Sequence, residues 1–128
     1  MPGGVGWHPY FAPPPSGHVQ IRMGAPDRHG SDRSDRAVAI DVTDLLSGWR
    51  AAAIPIGASR LVVSGISGLG HLTLHRKLGY FCIEPVSHAV GALDALPDAP
   101  PQTGLRMLRP GESLHARLTL EIDEAPER

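Results

Sequence analysis

Two segments of the chain carry side chains suited to moving protons: Gly6-Trp7-His8-Pro9-Tyr10-Phe11 near the start and Tyr80-Phe81-Cys82-Ile83-Glu84-Pro85 far downstream. In the first, one imidazole sits among three aromatic side chains, although aromatics make up only 5% of the residues. Histidine is the side chain whose ordinary pKa lies nearest neutrality, and an aromatic face offers a platform for the apolar side of a ring-shaped ligand. A sugar would meet both requirements. The competing reading is packing, with Trp7, Tyr10 and Phe11 in the core and His8 bonded to a carbonyl. In the second segment, strand alternation sends Phe81 and Ile83 to one face and Tyr80, Cys82 and Glu84 to the other. Pro85 lacks a backbone donor, so the strand is expected to stop there and leave Glu84 at its rim. An ordinary surface glutamate at a strand end would look the same.

Other suggestive residues carry less. His71 and His75 have helical metal-ligand spacing, but Leu72-Thr73-Leu74 between them reads as strand, where four residues span roughly 13 Å and cannot converge on one ion. No metal is expected. His88, just past Glu84 and Pro85, fits either a ligand site or a solvated loop. The glycine-rich run Gly65 to Gly70 lacks the strand-to-helix setting of a phosphate loop and reads as a turn.

The elements that must position these groups are strands. With 15 Gly and 13 Pro in 128 residues, about a fifth of the chain disfavours helix interiors, and the apolar pattern between these breakers has period two. Leu114 to Ile122 is the clearest case, with Leu114, Ala116, Leu118, Leu120 and Ile122 on one face, expected in the core. Val19, Ile21 and Met23 alternate with polar residues after the proline-rich turn from Ala12 to Gly17. Ala37 to Asp41, Arg60 to Gly65, His71 to His75, Tyr80 to Glu84 and Leu105 to Leu108 complete seven expected strands, which suggests an all-β sandwich. The charged stretch Pro26 to Arg36 reads as an exposed loop, Asp94 to Gly104 as an irregular connection and Glu124 to Arg128 as a frayed tail. With no repeat and no linker, residues 1–128 read as one domain.

Twelve basic and 13 acidic residues give a formal charge of -1, which argues against a nucleic-acid partner. No apolar run approaches the roughly 20 residues of a membrane helix, and the first residues lack the regions of a signal peptide, so no membrane association is expected. Cys82 is the single cysteine and cannot form an internal disulfide, which fits the cytoplasm.

Four motifs in order then carry a resemblance: Gly-Trp-His-Pro-Tyr-Phe at 6–11, Asp44-Leu45-Leu46-Ser47-Gly48-Trp49, Cys82-Ile83-Glu84-Pro85-Val86-Ser87-His88, and Leu108-Arg109-Pro110-Gly111-Glu112-Ser113-Leu114. Together they resemble the C-terminal half of the aldose 1-epimerase (galactose mutarotase-like) family. The resemblance implies a partial β-supersandwich whose reaction interconverts the α and β anomers of an aldose by opening and reclosing the sugar ring. Glu84 falls on the family's general base, His8 on its general acid and Asp44 on the aspartate that bonds sugar hydroxyls, with Trp7 and Tyr10 as further substrate-binding residues. Leu45 and Leu46 stand where an aromatic is common, which leaves Asp41 as a competitor for Asp44. A protonated His8 would be favoured by a nearby carboxylate, and Asp44 is one candidate. Such chemistry requires no cofactor, and its substrate is a hexose or a hexose phosphate. Family domains are more than twice this long, so the chain is expected to be a truncated or split form with an uncovered sheet that self-associates. The alternatives are a carbohydrate-binding sandwich without catalysis and an inactive fragment.

Overall fold

Alternating side chains fold into strands throughout the computed structural model, which describes residues 1–23 and 33–124. In chain order the strands are β1 (Pro2–Gly3), β2 (Tyr10–Phe11), β3 (His18–Met23), β4 (Arg33–Ala37), β5 (Thr43–Ser47), β6 (Trp49–Ile56), β7 (Ser59–Ser67), β8 (His71–Arg76), β9 (Phe81–Val86), β10 (Arg106–Met107) and β11 (Arg117–Glu124). They form a five-stranded sheet ordered β11-β7-β6-β3-β4, a four-stranded sheet ordered β2-β9-β8-β5, and a small β1-β10 pair. All pairings are antiparallel. Among the described residues there is no α-helix.

The two larger sheets pack face to face, because each is apolar on one side. Val19, Ile21, Ala52, Ile54, Leu61 and Val63 from the first meet Leu46, Leu72, Leu74, Phe81 and Ile83 from the second in one buried cluster. Trp49 is buried at the edge of this core, and its indole N–H donates to the Leu69 carbonyl at 2.8 Å, so the one polar atom of a large apolar ring is not left unpaired. The chain is a β-sandwich, as the alternation implies.

Several expectations are corrected. The strand expected at Ala37 to Asp41 lies earlier, at Arg33–Ala37, and ends where Ile40 and Asp41 turn, with Asp41 at a φ of 65°. Part of the charged run read as a loop is therefore an edge strand, with the rest of that run up to residue 32 outside the described residues; so are residues 125–128 of the expected frayed tail. β5 and β6 were not among the expected strands, since Leu45-Leu46 breaks the alternation and Pro55 argues against a strand interior. Leu114 to Ala116 lie outside β11, and the apolar side of the run is only partly in the core, with Ala116 packed against the buried cluster. Leu118 packs against the cluster, but Leu120 and Ile122 are 53% and 66% exposed. The register explains this: these residues pair with Gly65, Val63 and Leu61 and share their inward face, but β11 is an edge strand that the narrower four-stranded sheet leaves uncovered.

β9 also runs further than expected, through Pro85 to Val86. In a strand a residue's N and C=O point the same way, and the Pro85 carbonyl accepts from Trp7 N–H at 3.0 Å. The missing donor therefore faces the loosely paired N-terminal segment and leaves the ladder to β8 intact.

Candidate active site

The site grows from the outer face of the four-stranded sheet. Directly paired residues of antiparallel strands point to the same face. The pairings Thr43↔His75↔Cys82↔Tyr10 and Leu45↔Thr73↔Glu84 therefore line one surface, while Asp44↔Leu74↔Ile83 belong to the opposite, core-facing side. Glu84 stands within β9, two residues from its end, rather than at a rim.

His8 reaches this surface because the N-terminal segment lies along β9. Trp7 N–H donates to Pro85 O, Ser87 N–H donates to Val5 O at 2.8 Å, and Val5 N–H donates to the Ser87 hydroxyl at 2.9 Å. Gly6 bridges to Val86, and a Cβ at Gly6 would fall 2.5 Å from a Val86 methyl, so only glycine lets the two backbones approach this closely. Pro9 then carries the chain into β2.

The result places His8 Nε2 3.2 Å from Glu84 Oε1, with the histidine side chain 55% exposed and the glutamate 17%. One group of this pair is open to solvent and the other is sheltered. The His8 ring stacks on Tyr10 at a centroid separation of 4.8 Å, and Tyr10 meets the edge of Tyr80 at 5.1 Å. Tyr80 lies 6.5 Å from His75, whose Nδ1 is 2.8 Å from the Thr43 hydroxyl. A row of rings thus runs from His8 across the sheet. Beneath it, Cys82 is fully buried, and burial, followed by the Glu84 charge, pushes its thiol pKa up. The thiol is held neutral. Beside Glu84 a depression of about 340 Å³ opens, lined in part by Leu45, Thr73, His71, Val86, Gln102 and Thr103. Burial, then the nearby His88, holds the His71 imidazole below its usual pKa.

Of the residues expected from sequence, His8, Glu84 and Tyr10 converge, and Trp7 lies next to His8, 40% exposed. Asp44 does not join them. Its carboxylate accepts from Arg36 Nη1 at 2.8 Å, linking the facing edges β4 and β5 of the two sheets. The carboxylate beside His8 is Glu84, not Asp44. Asp41 is also elsewhere, paired with Lys77, which lowers the aspartate pKa and raises that of the lysine, through their hydrogen bond first and their charges second. His71 and His75 occupy a strand, and His88 packs against Gly4 and Ser87. Thr43, Thr73, His75 and Tyr80 are surface residues that sequence reasoning did not assign to the site, although alternation already sets Tyr80 on the Glu84 face. The signal for them was the β5-β8-β9 register, which no single segment contains.

No helix among the described residues is long and apolar enough to cross a membrane. No family model matches the chain, and no curated protein matches it by sequence. Among solved structures, a crystal structure from Escherichia coli K12, named "Putative aldose 1-epimerase", is similar with a TM-score of 0.71 at 20% identity. The similarity covers 97% of this chain and 51% of that one, so the chain spans about half the length of the protein it matches. A half-length match is what the resemblance to a C-terminal half implies. The chain has, over nearly all its length, the β-sandwich fold of half of that protein.

Proposed function

We propose that this chain carries the acid and base of an aldose 1-epimerase-type isomerase, with a hexose or hexose phosphate as substrate. The 3.2 Å approach of His8 to Glu84 carries the reading. Ring opening of a hemiacetal removes a proton from the anomeric hydroxyl and delivers one to the ring oxygen. Both oxygens are bonded to the same carbon, so acid and base must stand close together. Glu84 takes the hydroxyl proton, protonated His8 gives one to the ring oxygen, and the bond from the anomeric carbon to the ring oxygen breaks. Rotation of the freed carbonyl end precedes closure on its other face, with both protons returned. Each such group typically contributes about 10² to 10⁴ in rate, and the net reaction consumes neither protons nor cofactor.

Tyr10, 62% exposed, and Trp7 offer faces for the sugar's C–H side, and the depression beside Glu84 and Thr73 offers room for the rest of the ring. On this reading residues 1–128 act as one mutarotase-like sandwich domain in the cytoplasm, one that binds neither nucleic acid nor membrane and self-associates through the uncovered side of β11. A second reading, carbohydrate binding without catalysis, is favoured by the turning of Asp44 away from the pair, which leaves the sugar hydroxyls one carboxylate fewer. Polarimetry of freshly dissolved α-glucose and α-galactose separates the two. Faster equilibration than buffer supports the enzyme, whereas sugar binding without acceleration supports the second reading and removes the first.

A further inference from the structure

Cys82 and Glu84 stand two residues apart on one face of β9, and His8 reaches over them from the neighbouring segment. Their sulfur, oxygen and nitrogen donor atoms all lie within 4.8 Å of one another. We propose that this triad is an inhibitory site for a borderline transition-metal cation such as zinc, bound by His8 Nε2, Cys82 Sγ and a Glu84 carboxylate oxygen.

Zinc bonds to nitrogen and oxygen at roughly 2.0–2.2 Å and to sulfur at about 2.3 Å, and tetrahedral ligands around one ion stand about 3.3–3.8 Å apart. The 3.2 Å separation of His8 and Glu84 is already close to that range. The sulfur has only to move toward them. One thiolate, one imidazole and one carboxylate suit zinc and its neighbours, whereas magnesium and calcium prefer oxygen throughout. Half-exposed His8 gives the ion an entry path and leaves the fourth position to water, while Tyr10 stacked on the imidazole fixes its plane. On binding, the Cys82 S–H bond breaks, a zinc–sulfur bond forms, and the thiol proton passes to solvent together with any proton carried on His8 Nε2. The direct His8–Glu84 contact is replaced by bonds to the metal.

The inhibitory consequence rests on the acid/base reading above, because the ion takes the lone pair of one proposed catalytic group and the charge of the other. The binding itself does not. The test is therefore spectroscopic. Metal-free protein titrated with Co²⁺ is expected to show a thiolate-to-cobalt charge-transfer band that saturates at one equivalent with release of protons, and Zn²⁺ is expected to abolish it. Since the chain has one cysteine, such a band comes from Cys82 alone. Cys82→Ser should remove the band, with its fold checked by thermal melting. His8→Asn, a change at a half-exposed side chain, should weaken Co²⁺ binding more than about tenfold. Absence of the band from wild type, or a band of undiminished affinity in His8→Asn, overturns the site. An intact band in a protein without epimerase activity supports the site and removes only the catalytic reading; activity without a band removes only the site.

Discussion

The imidazole of His8 and the carboxylate of Glu84 approach to 3.2 Å although one belongs to the N-terminal segment and the other to β9. Replacing either group while keeping its shape is the direct test of their chemistry. Glu84→Gln and His8→Asn are each expected to lower the rate of anomer exchange by about 10² to 10⁴. The double variant should lose little beyond the worse single one, because the two transfers act as a unit. Exchange NMR on glucose and galactose reads all three.

Gly6 tests positioning apart from chemistry. Gly6→Ala introduces a methyl group against Val86, pushing the segment that carries His8 away from β9. A displacement near 1 Å in a reacting group can cost about 100-fold. The expected result is a fall of that order in kcat with the melting temperature lowered only slightly; an unchanged kcat would show that His8 does not depend on this close approach.

Asp44 should behave as a structural residue. Asp44→Asn and Arg36→Ala are expected to lower thermal stability by similar small amounts, with the double variant no worse than either, since each removes the same half-exposed inter-sheet pair. Calorimetry with sugar present completes the test. Loss of sugar affinity in Asp44→Asn but not in Arg36→Ala would return Asp44 to the binding site.

His71 gives a pH dependence of definite sign. Its pKa is held below the ordinary value of 6.5 by burial and by His88, so the folded protein prefers the neutral ring and the unfolded chain binds the proton more readily. Stability from this group is complete above pH 6.5 and is lost as pH falls through the folded-state value. Denaturant melts across this interval should show a decline in wild type that His71→Gln reduces. A decline of equal size in the variant would assign it to other groups.

The exposed side of β11 predicts association. Wild-type protein is expected to elute above its 13.6 kDa monomer mass, and Leu120→Glu with Ile122→Lys to shift it toward monomer without loss of melting temperature. A wild type that runs as a well-behaved monomer would count against self-association through this strand.

How far the sequence reveals these features follows from where each signal resides. Val19, Ile21 and the run from His71 to His75 announce their strands because alternation is local. β6 is hidden because Ala51, Ala52 and Ala53 carry no contrast between faces and Pro55 imitates a break. The edge position of β11 is equally hidden: Leu118, Leu120 and Ile122 look alike in sequence, and only the width of the opposing sheet decides which of them is covered. For the site, residue type pointed to His8 and Glu84, and the structure places them together. Asp44 lies on the core-facing side of β5, bonded to Arg36, while Thr43 one step earlier faces outward, because a single step along a strand exchanges the two faces.

The strap formed by residues 5–7 is tied to β9 by a few hydrogen bonds, with partners as far as 82 positions apart in the chain. Pro85 removes a donor at the point where this strap lies. Contacts that close such a long stretch of chain and have few neighbours form late and open early. In hydrogen exchange, the amides of Val5 and Trp7 should therefore open at far lower free energy than those of β8 and β9. Each opening would take His8 away while Glu84 stays in its sheet, so the protein would pass in and out of competence while the sandwich itself remains folded.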